Sequence, residues 1–297
     1  MKKNSIVSIL VLFLTAIIWG LAFPFQSIAA NYVSTFWFNG IRFFVGALSL
    51  IPVVLIFERE KITSEQWKKL IITSSLCGFI LFAASALQQI GITLTKSSAK
   101  SAFITGLYMV FVPFCGIFMK KRIRKESWIG AAAAVVGLYF VCFANGAENA
   151  QLGDLVVLVG AFFWTAHIVC IDTFASDCPS LKFSLFQFIV CGALNIAVAP
   201  FFDGALTLSP EFWQNALIPI LYCGIFSVGV AYTCQVIGQR GTEPALASII
   251  LCTESVFAAI GEPIIDKAST PLPLLGYMGC ALIFIGILLS QMKIFKK

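Results

Sequence analysis

Asn145-Gly-Ala-Glu-Asn-Ala-Gln-Leu-Gly-Asp154 is the most hydrophilic stretch of the chain outside its basic loops, and it falls near the middle of 297 residues. Five apolar segments precede it, near 6–29, 34–57, 68–92, 97–118 and 127–144. Five follow it, near 153–174, 183–203, 212–238, 244–265 and 272–292. A helix spans hydrocarbon with ~20 apolar residues at ~1.5 Å rise each, whereas a barrel strand needs only ~10. Segments this long predict helices, the fifth being the shortest. An odd number of spans per half turns the second half upside down relative to the first. Inverted halves around a midplane site are the sequence mark of a secondary transporter. The expected fold is an all-α membrane protein of ten transmembrane helices, arranged as two inverted five-helix repeats over 6–144 and 151–292.

Landmarks in the two halves keep a nearly constant spacing. Ile18-Trp19 matches Phe163-Trp164 at an offset of 145. Tyr108-Met-Val-Phe111 matches Glu254-Ser-Val-Phe257 at an offset of 146, and Gly130 matches Gly276 at the same offset. Three landmarks in one register argue for duplication. Segments five and ten are almost free of interior polar groups, and small residues such as Gly130-Ala-Ala-Ala-Ala-Val-Val-Gly137 suit close helix packing, so both read as peripheral braces. The other eight carry the intramembrane polar residues and should surround a path. Pro24, Pro52, Pro113, Pro200, Pro219 and Pro263 interrupt them and free backbone carbonyls.

Composition agrees with lipid as the solvent: 59 % of residues are hydrophobic and 11 % charged, against roughly 25 % charged in soluble domains. The net charge of +6 is unevenly spread. With the amino terminus inside, inner segments hold 16 of the 20 Lys and Arg residues, outer ends hold Lys96, Lys100 and Lys267, and Arg42 lies within a span. That asymmetry orients the chain with both termini cytoplasmic. It serves topology and anionic lipid rather than nucleic acid. The first segment, preceded by Lys2-Lys3, is too long for a signal peptide and reads as an uncleaved span. Ten cysteines without a CxxC pair, almost all in apolar runs, read as small polarizable hydrophobes rather than a disulfide frame or metal site. The sequence has no Gly-Lys-Ser/Thr phosphate loop, no His-Glu-x-x-His, no nucleophile elbow and no selectivity-filter repeat. Neither an enzyme, a resident cofactor nor a metal is expected.

Several motifs together resemble a known group. Trp19-Gly-Leu-Ala-Phe-Pro24, Arg42-Phe43, Gly153-Asp-Leu-Val-Val-Leu-Val-Gly-Ala-Phe-Phe-Trp164, Thr253-Glu-Ser-Val-Phe-Ala-Ala259 and Pro273-Leu-Leu-Gly276 occur in order. The chain is identified by them as similar to the EamA family of the drug/metabolite transporter superfamily, over roughly 6–292. The resemblance implies ten helices, inside termini in a bacterial-type plasma membrane, a central cavity, and small metabolites such as amino acids as cargo, with export favoured. The chain departs from the family pattern at Ser255, where Pro is usual, and at Lys120-Lys121-Arg122 and Asp266-Lys267, where a Gly-Glu-Arg turn is usual in the first repeat.

Candidate site residues follow from cost. Glu254 sits about ten residues into its segment, ~15 Å deep, where an ionisable group is expensive and functional by default. It reads as a proton acceptor, as the partner of a substrate ammonium, or as a structural carboxyl that locks helices. Arg42, about eight residues into segment two, reads as a clamp on a substrate carboxylate, or as a structural residue that pairs with Glu254 or donates to carbonyls. His167, the only histidine, reads as a proton relay or as a packed polar residue. Lys100 either snorkels to the outer surface or rims the mouth. Gln88, Gln89, Gln187, Asn195 and Gln235 are neutral hydrogen bonders. Trp19, Phe23, Tyr108, Trp164 and Tyr232 are central aromatics that either wall a ligand site or simply pack among 29 phenylalanines. The proposed substrate set is Arg42, Glu254, Trp19, Phe23, Gln88, Tyr108, Trp164, His167, Tyr232 and Gln235, with Glu254 and His167 as proton-coupling candidates. The function expected is alternating-access transport of amino acids or related zwitterions. The alternatives are a membrane-embedded enzyme, a lipid-binding scaffold, or an exporter of aromatic or cationic drug-like compounds. A small-molecule substrate and the bilayer are the partners, and a homodimer is left open.

Overall fold

A computed structural model describes residues 5–95, 98–118, 125–143, 152–266 and 273–291. The hydrophilic joint at 145–151 and the basic run at 120–124 lie outside the described residues. The described chain is helical throughout, with no strand. In chain order the helices are α1 (Ile6–Ala29), α2 (Thr35–Phe57), α3 (Ser64–Thr95), α4 (Ser98–Phe118), α5 (Lys125–Phe143), α6 (Leu152–Phe174), α7 (Ser180–Phe202), α8 (Phe212–Gln239), α9 (Pro244–Ile265) and α10 (Leu274–Gln291). Eight of them, all but α5 and α10, are long and apolar enough to cross a membrane. The apolar stretch of α10, Leu274–Leu289, is shorter.

Two helix starts lie earlier than apolarity alone predicts. α3 begins at Ser64 rather than near 68 because Thr63 and Gln66 form a capping box: the Gln66 N–H donates to Thr63 Oγ1 at 3.2 Å, and the Thr63 N–H to Gln66 Oε1 at 2.7 Å. α7 begins at Ser180 rather than near 183 because an acid from the other half caps it. Glu58, just past the end of α2, accepts the Leu181 and Lys182 N–H groups at 2.9 Å each. The opposite end of the pair is tied the same way. Asp203, just past the end of α7, accepts the Phe36 and Trp37 N–H groups of α2 at 2.7 and 3.2 Å. Glu58 and Asp203 are 145 residues apart, and so are the N–H pairs they cap.

The packing is reciprocal between the halves. α1 lies against α8 and α9, as α6 lies against α3 and α4; α2 lies against α8, as α7 lies against α3. α2 also packs on α7, α4 on α9, and α5 on α10. Adding five to both helix numbers of a pair, counting round from ten, returns the same set of pairs. α5 and α10 run antiparallel at van der Waals range. A Cβ on Gly137 would meet the Gly279 carbonyl at 2.5 Å, and one on Gly286 would meet the Gly130 carbonyl at 2.6 Å. Small residues are what permit this approach.

α4 and α9 are both broken, at matching places. α4 is interrupted at Leu107 and α9 at Cys252-Thr253, again 146 residues apart. In α9 the break is a tightened turn, with Thr253 N–H donating to Ile250 O and Val256 N–H to Thr253 O. Side chains add a second bond to carbonyls that already accept backbone N–H groups in this turn: Thr253 Oγ1 donates to Ile250 O at 2.7 Å, and Ser255 Oγ to Cys252 O at 2.6 Å. Ser255 thus replaces the usual proline with a hydroxyl that bonds the carbonyl of the broken turn.

Two cysteines depart from the expectation of isolated thiols. Cys77 on α3 and Cys170 on α6 form a disulfide, their Cα atoms 6.2 Å apart. The sequence carries no spacing cue for this pair, because only the packing of α3 on α6 brings the two together. Cys115, Cys178, Cys191, Cys223, Cys234, Cys252 and Cys280 are free.

Candidate functional site

The broken helices frame a cavity at the centre of the bundle. It is lined from α1 by Trp19, Phe23 and Gln26, from α2 by Arg42, from α3 by Gln88, and from α4 by Thr105 and Tyr108. α6 adds Trp164, α8 adds Ser227, Tyr232 and Gln235, and α9 adds Glu254. The cavity is contracted, with a volume of about 20 Å³, room for about one water. Anything larger enters only if the helices part.

Nine of the ten residues of the expected substrate set meet here. Three rings form one wall: Trp19 lies 4.6 Å from Tyr232, and Trp164 stacks on Tyr232 at 6.0 Å and 15°. Trp19 is pinned by its Nε1–H, which donates to the Ser227 carbonyl at 3.1 Å. The tenth residue, His167, is not at the cavity. It stands behind the aromatic wall, edge-on to Trp164 and Tyr232 at 6.0 and 6.1 Å, with Nε2 3.1 Å from Gln187 Oε1. Its Nδ1 has no hydrogen-bond partner.

Glu254 opens the second half of α9, at the N-terminus of a helix whose peptide dipole favours negative charge. The Tyr108 hydroxyl donates to Glu254 Oε1 at 3.0 Å. Tyr108 and Glu254 are the two positions matched by the offset of 146, so equivalent points of the halves touch in the cavity wall. α1 approaches closely here: a Cβ on Gly20 would lie 2.5 Å from the Glu254 carbonyl.

Arg42 is 1 % exposed. Its Nε donates to Asn39 Oδ1 at 2.9 Å and its Nη1 to Gln26 Oε1 at 3.2 Å, while Nη2 has no hydrogen-bond partner. The Phe38 and Phe43 rings lie 5.2 Å from its Cζ, and Cys223 lies against it. Arg42 and Glu254 form no ion pair with each other. The guanidinium instead rests on neutral amides and aromatic faces.

Lys100 neither snorkels nor stands free. It forms an ion pair with Asp154 at 2.9 Å, both side chains largely buried, and so ties the start of α4 to the start of α6. Beside it Ser98 Oγ donates to Glu262 Oε1 at 2.5 Å, tying α4 to the end of α9. Among the described residues no group of His, Cys, Asp and Glu is arranged to hold a metal.

Sequence reasoning missed Gln26, Thr105 and Ser227. Thr105 receives Gln88 Nε2–H at 3.3 Å. Ser227 escaped notice because Tyr222–Tyr232 is wound as a π-helix, in which residues five apart share a face. In an α-helix Ser227 and Tyr232 would point roughly 140° apart at ~100° per residue. Gln26 follows Pro24 at the end of α1, where its direction depends on how that end meets α2 and α3.

The model of the EamA-like transporter family matches residues 6–143 and 151–292. The chain belongs to this EamA family. The family is one of transporters within the drug/metabolite transporter superfamily, so this EamA protein is a multi-pass membrane transporter and not an enzyme. It is 27 % identical over 285 residues to an uncharacterized transporter of Archaeoglobus fulgidus, covering 95 % of this chain and 84 % of that one. An uncharacterized transporter of Clostridium kluyveri is 23 % identical over 237 residues, 74 % of this chain and 72 % of the relative. A solved crystal structure shares the fold, with a TM-score of 0.75 at 18 % identity, over 98 % of this chain and 97 % of that one.

Proposed function

We propose that this EamA transporter moves small zwitterionic metabolites, amino acids foremost, by alternating access, and that it works as an exporter in the plasma membrane. The observation that carries the reading is the pair Arg42 and Glu254. One permanently cationic and one acidic side chain line a single cavity without pairing to each other. A zwitterion supplies the complement of both: its carboxylate for the guanidinium, its ammonium for the carboxyl. Trp19, Phe23, Trp164 and Tyr232 give the remainder of the ligand an aromatic wall, and Gln88 and Gln235 add neutral hydrogen bonds. Glu254 also carries the proton in the proposed coupling, with His167 behind the wall as the next candidate.

In this reading α5 and α10 cross the membrane with the other eight helices. Residues 6–144 and 151–292 are then inverted halves with both termini inside. The reciprocal packing, the antiparallel α5–α10 pair and the matched breaks at Leu107 and Thr253 support that arrangement. Breaks at one depth in both halves give α4 and α9 the places to bend that a rocking motion needs. The contracted cavity is what a closed state requires.

The test is a thermal-shift screen of purified protein against the standard amino acids, because a ligand that binds only the folded state raises its apparent stability by mass action. Hits are then assayed by counterflow in liposomes, where stimulation by unlabelled substrate on the far side marks a carrier. Arg42→Lys keeps the charge but loses the planar fork. It is expected to bind hits weakly while folding normally. No shift with any amino acid, or an Arg42→Lys protein that binds and exchanges like wild type, would overturn the reading.

A further inference from the structure

We infer that Asn39 and Gln26 are positioning residues that hold Arg42 without neutralising it, and so make the cavity select a carboxylate over the matching neutral amide. The inference rests on the zwitterion reading above and adds the residues that set its selectivity.

A guanidinium has five N–H donors. Asn39 Oδ1 takes the Nε–H and Gln26 Oε1 takes one on Nη1, which leaves three on the Nη1–Nη2 side with no oxygen acceptor and only the weakly accepting Cys223 thiol against the guanidinium. A carboxylate has two oxygens that match two parallel N–H groups of one fork. Both engaged acceptors are amide oxygens. They fix the plane of the guanidinium yet carry no charge, so its positive charge remains for a ligand. An acid at either place would orient Arg42 equally well and consume that charge in a buried ion pair. Phe38 and Phe43, each 5.2 Å from Cζ, favour the cation with ring faces and use none of its donors.

α3 holds the Asn39 side-chain amide and the backbone from which Gln26 projects. Asn39 Nδ2 donates to the Ser85 carbonyl at 3.2 Å, and Gln89 Nε2 donates to the Gln26 backbone carbonyl at 3.2 Å. Asn39 and Gln89 are at most 1 % exposed and Gln26 is 3 % exposed. Arg42 is thus clamped between α1 and α2, with α3 bracing both; Gln26 lines the cavity itself, whereas Asn39 does not and acts on the ligand only through Arg42.

The test uses the acid-to-amide ratio. Each standard amino acid that stabilises the full-length protein is titrated beside its own carboxamide, in wild type and in Asn39→Asp, Gln26→Glu and Arg42→Gln. In wild type the acid binds more tightly. In Asn39→Asp and Gln26→Glu the preference is expected to fall about tenfold or more, the scale of one charge-assisted hydrogen bond, while the ligand-free melting temperature holds or rises. A merely structural role predicts the same melting temperatures with the acid-to-amide preference unchanged, because the new carboxylate is an equally good acceptor for Arg42 and ligand selectivity would not depend on it. Should one variant fail to fold, the other reads the same property from a different helix. If Arg42→Gln loses the preference and both acid variants keep it, the positioning role is overturned and the Arg42 clamp stands. If Arg42→Gln keeps the preference, or no amino acid binds wild type, the clamp falls and this inference with it.

Discussion

Removing the two acidic caps between α2 and α7 should cost stability twice over, in equal and independent portions. Asp203 accepts two N–H groups at the start of α2, and Glu58 accepts two at the start of α7. Each acid is half-buried at the positive end of a helix dipole. Truncating a cap to alanine costs about 1 kcal/mol, and losing a charge beside the dipole adds about 0.5 kcal/mol. Asp203→Ala and Glu58→Ala should therefore each lower the unfolding free energy by about 1.5 kcal/mol. The sites lie at opposite ends of a 23-residue helix, ~34 Å apart at helical rise, and share no partner. The double variant should then lose about 3 kcal/mol, additive to within about 0.5 kcal/mol. The assay is equilibrium unfolding in mixed detergent micelles, followed by tryptophan fluorescence in the two single variants and the double. A single loss below about 0.3 kcal/mol, or one cap costing several times the other, would refute the reciprocal-cap reasoning. So would a double loss no larger than a single one.

Three further outcomes are expected. Glu254→Gln keeps size and hydrogen bonding but cannot titrate, so it should abolish proton-driven accumulation and retain substrate exchange between loaded liposomes; wild-type behaviour in both assays would make Glu254 structural and move the search to His167. Lys100→Met should destabilise by about 3 kcal/mol because it leaves Asp154 poorly compensated in a largely buried place, and Asp154→Leu added to it should recover most of that loss; no recovery in the double variant would show that the pair is not coupled. In a cysteine-free background, Asp203→Cys should label with an impermeant thiol reagent from outside intact cells and Glu58→Cys should not, whereas the opposite result would invert the proposed orientation.

The chemistry of the centre was legible in the sequence because cost makes it so. An Arg, a Glu and a set of Trp, Tyr and Gln residues deep in apolar segments read either as a lined cavity or as structural packing, and Trp19, Arg42, Gln88, Tyr108, Trp164, Tyr232, Gln235 and Glu254 do line a cavity. The long-range register was legible too, because duplication leaves an offset that needs no coordinates: Tyr108 and Glu254 were matched by spacing alone, and they turn out to share a hydrogen bond.

Tertiary structure decided the rest, for identifiable reasons. Periodicity assumes α-helical winding, and the π-wound Tyr222–Tyr232 brings Ser227 to the same wall as Tyr232. Depth along a segment does not give rotation about it, so His167 sits behind the aromatic wall although it lies as deep as the residues in front. Partner choice is the least local property of all. Only the packed bundle sets Cys77 beside Cys170, Lys100 beside Asp154, and Arg42 on Asn39 and Gln26 rather than on Glu254. The sequence determined that a charge would be buried and roughly how deep, because lipid sets that cost residue by residue. Which neighbour meets the charge was left to the helix contacts, because they depend on the rotation and close approach of segments far apart in the chain.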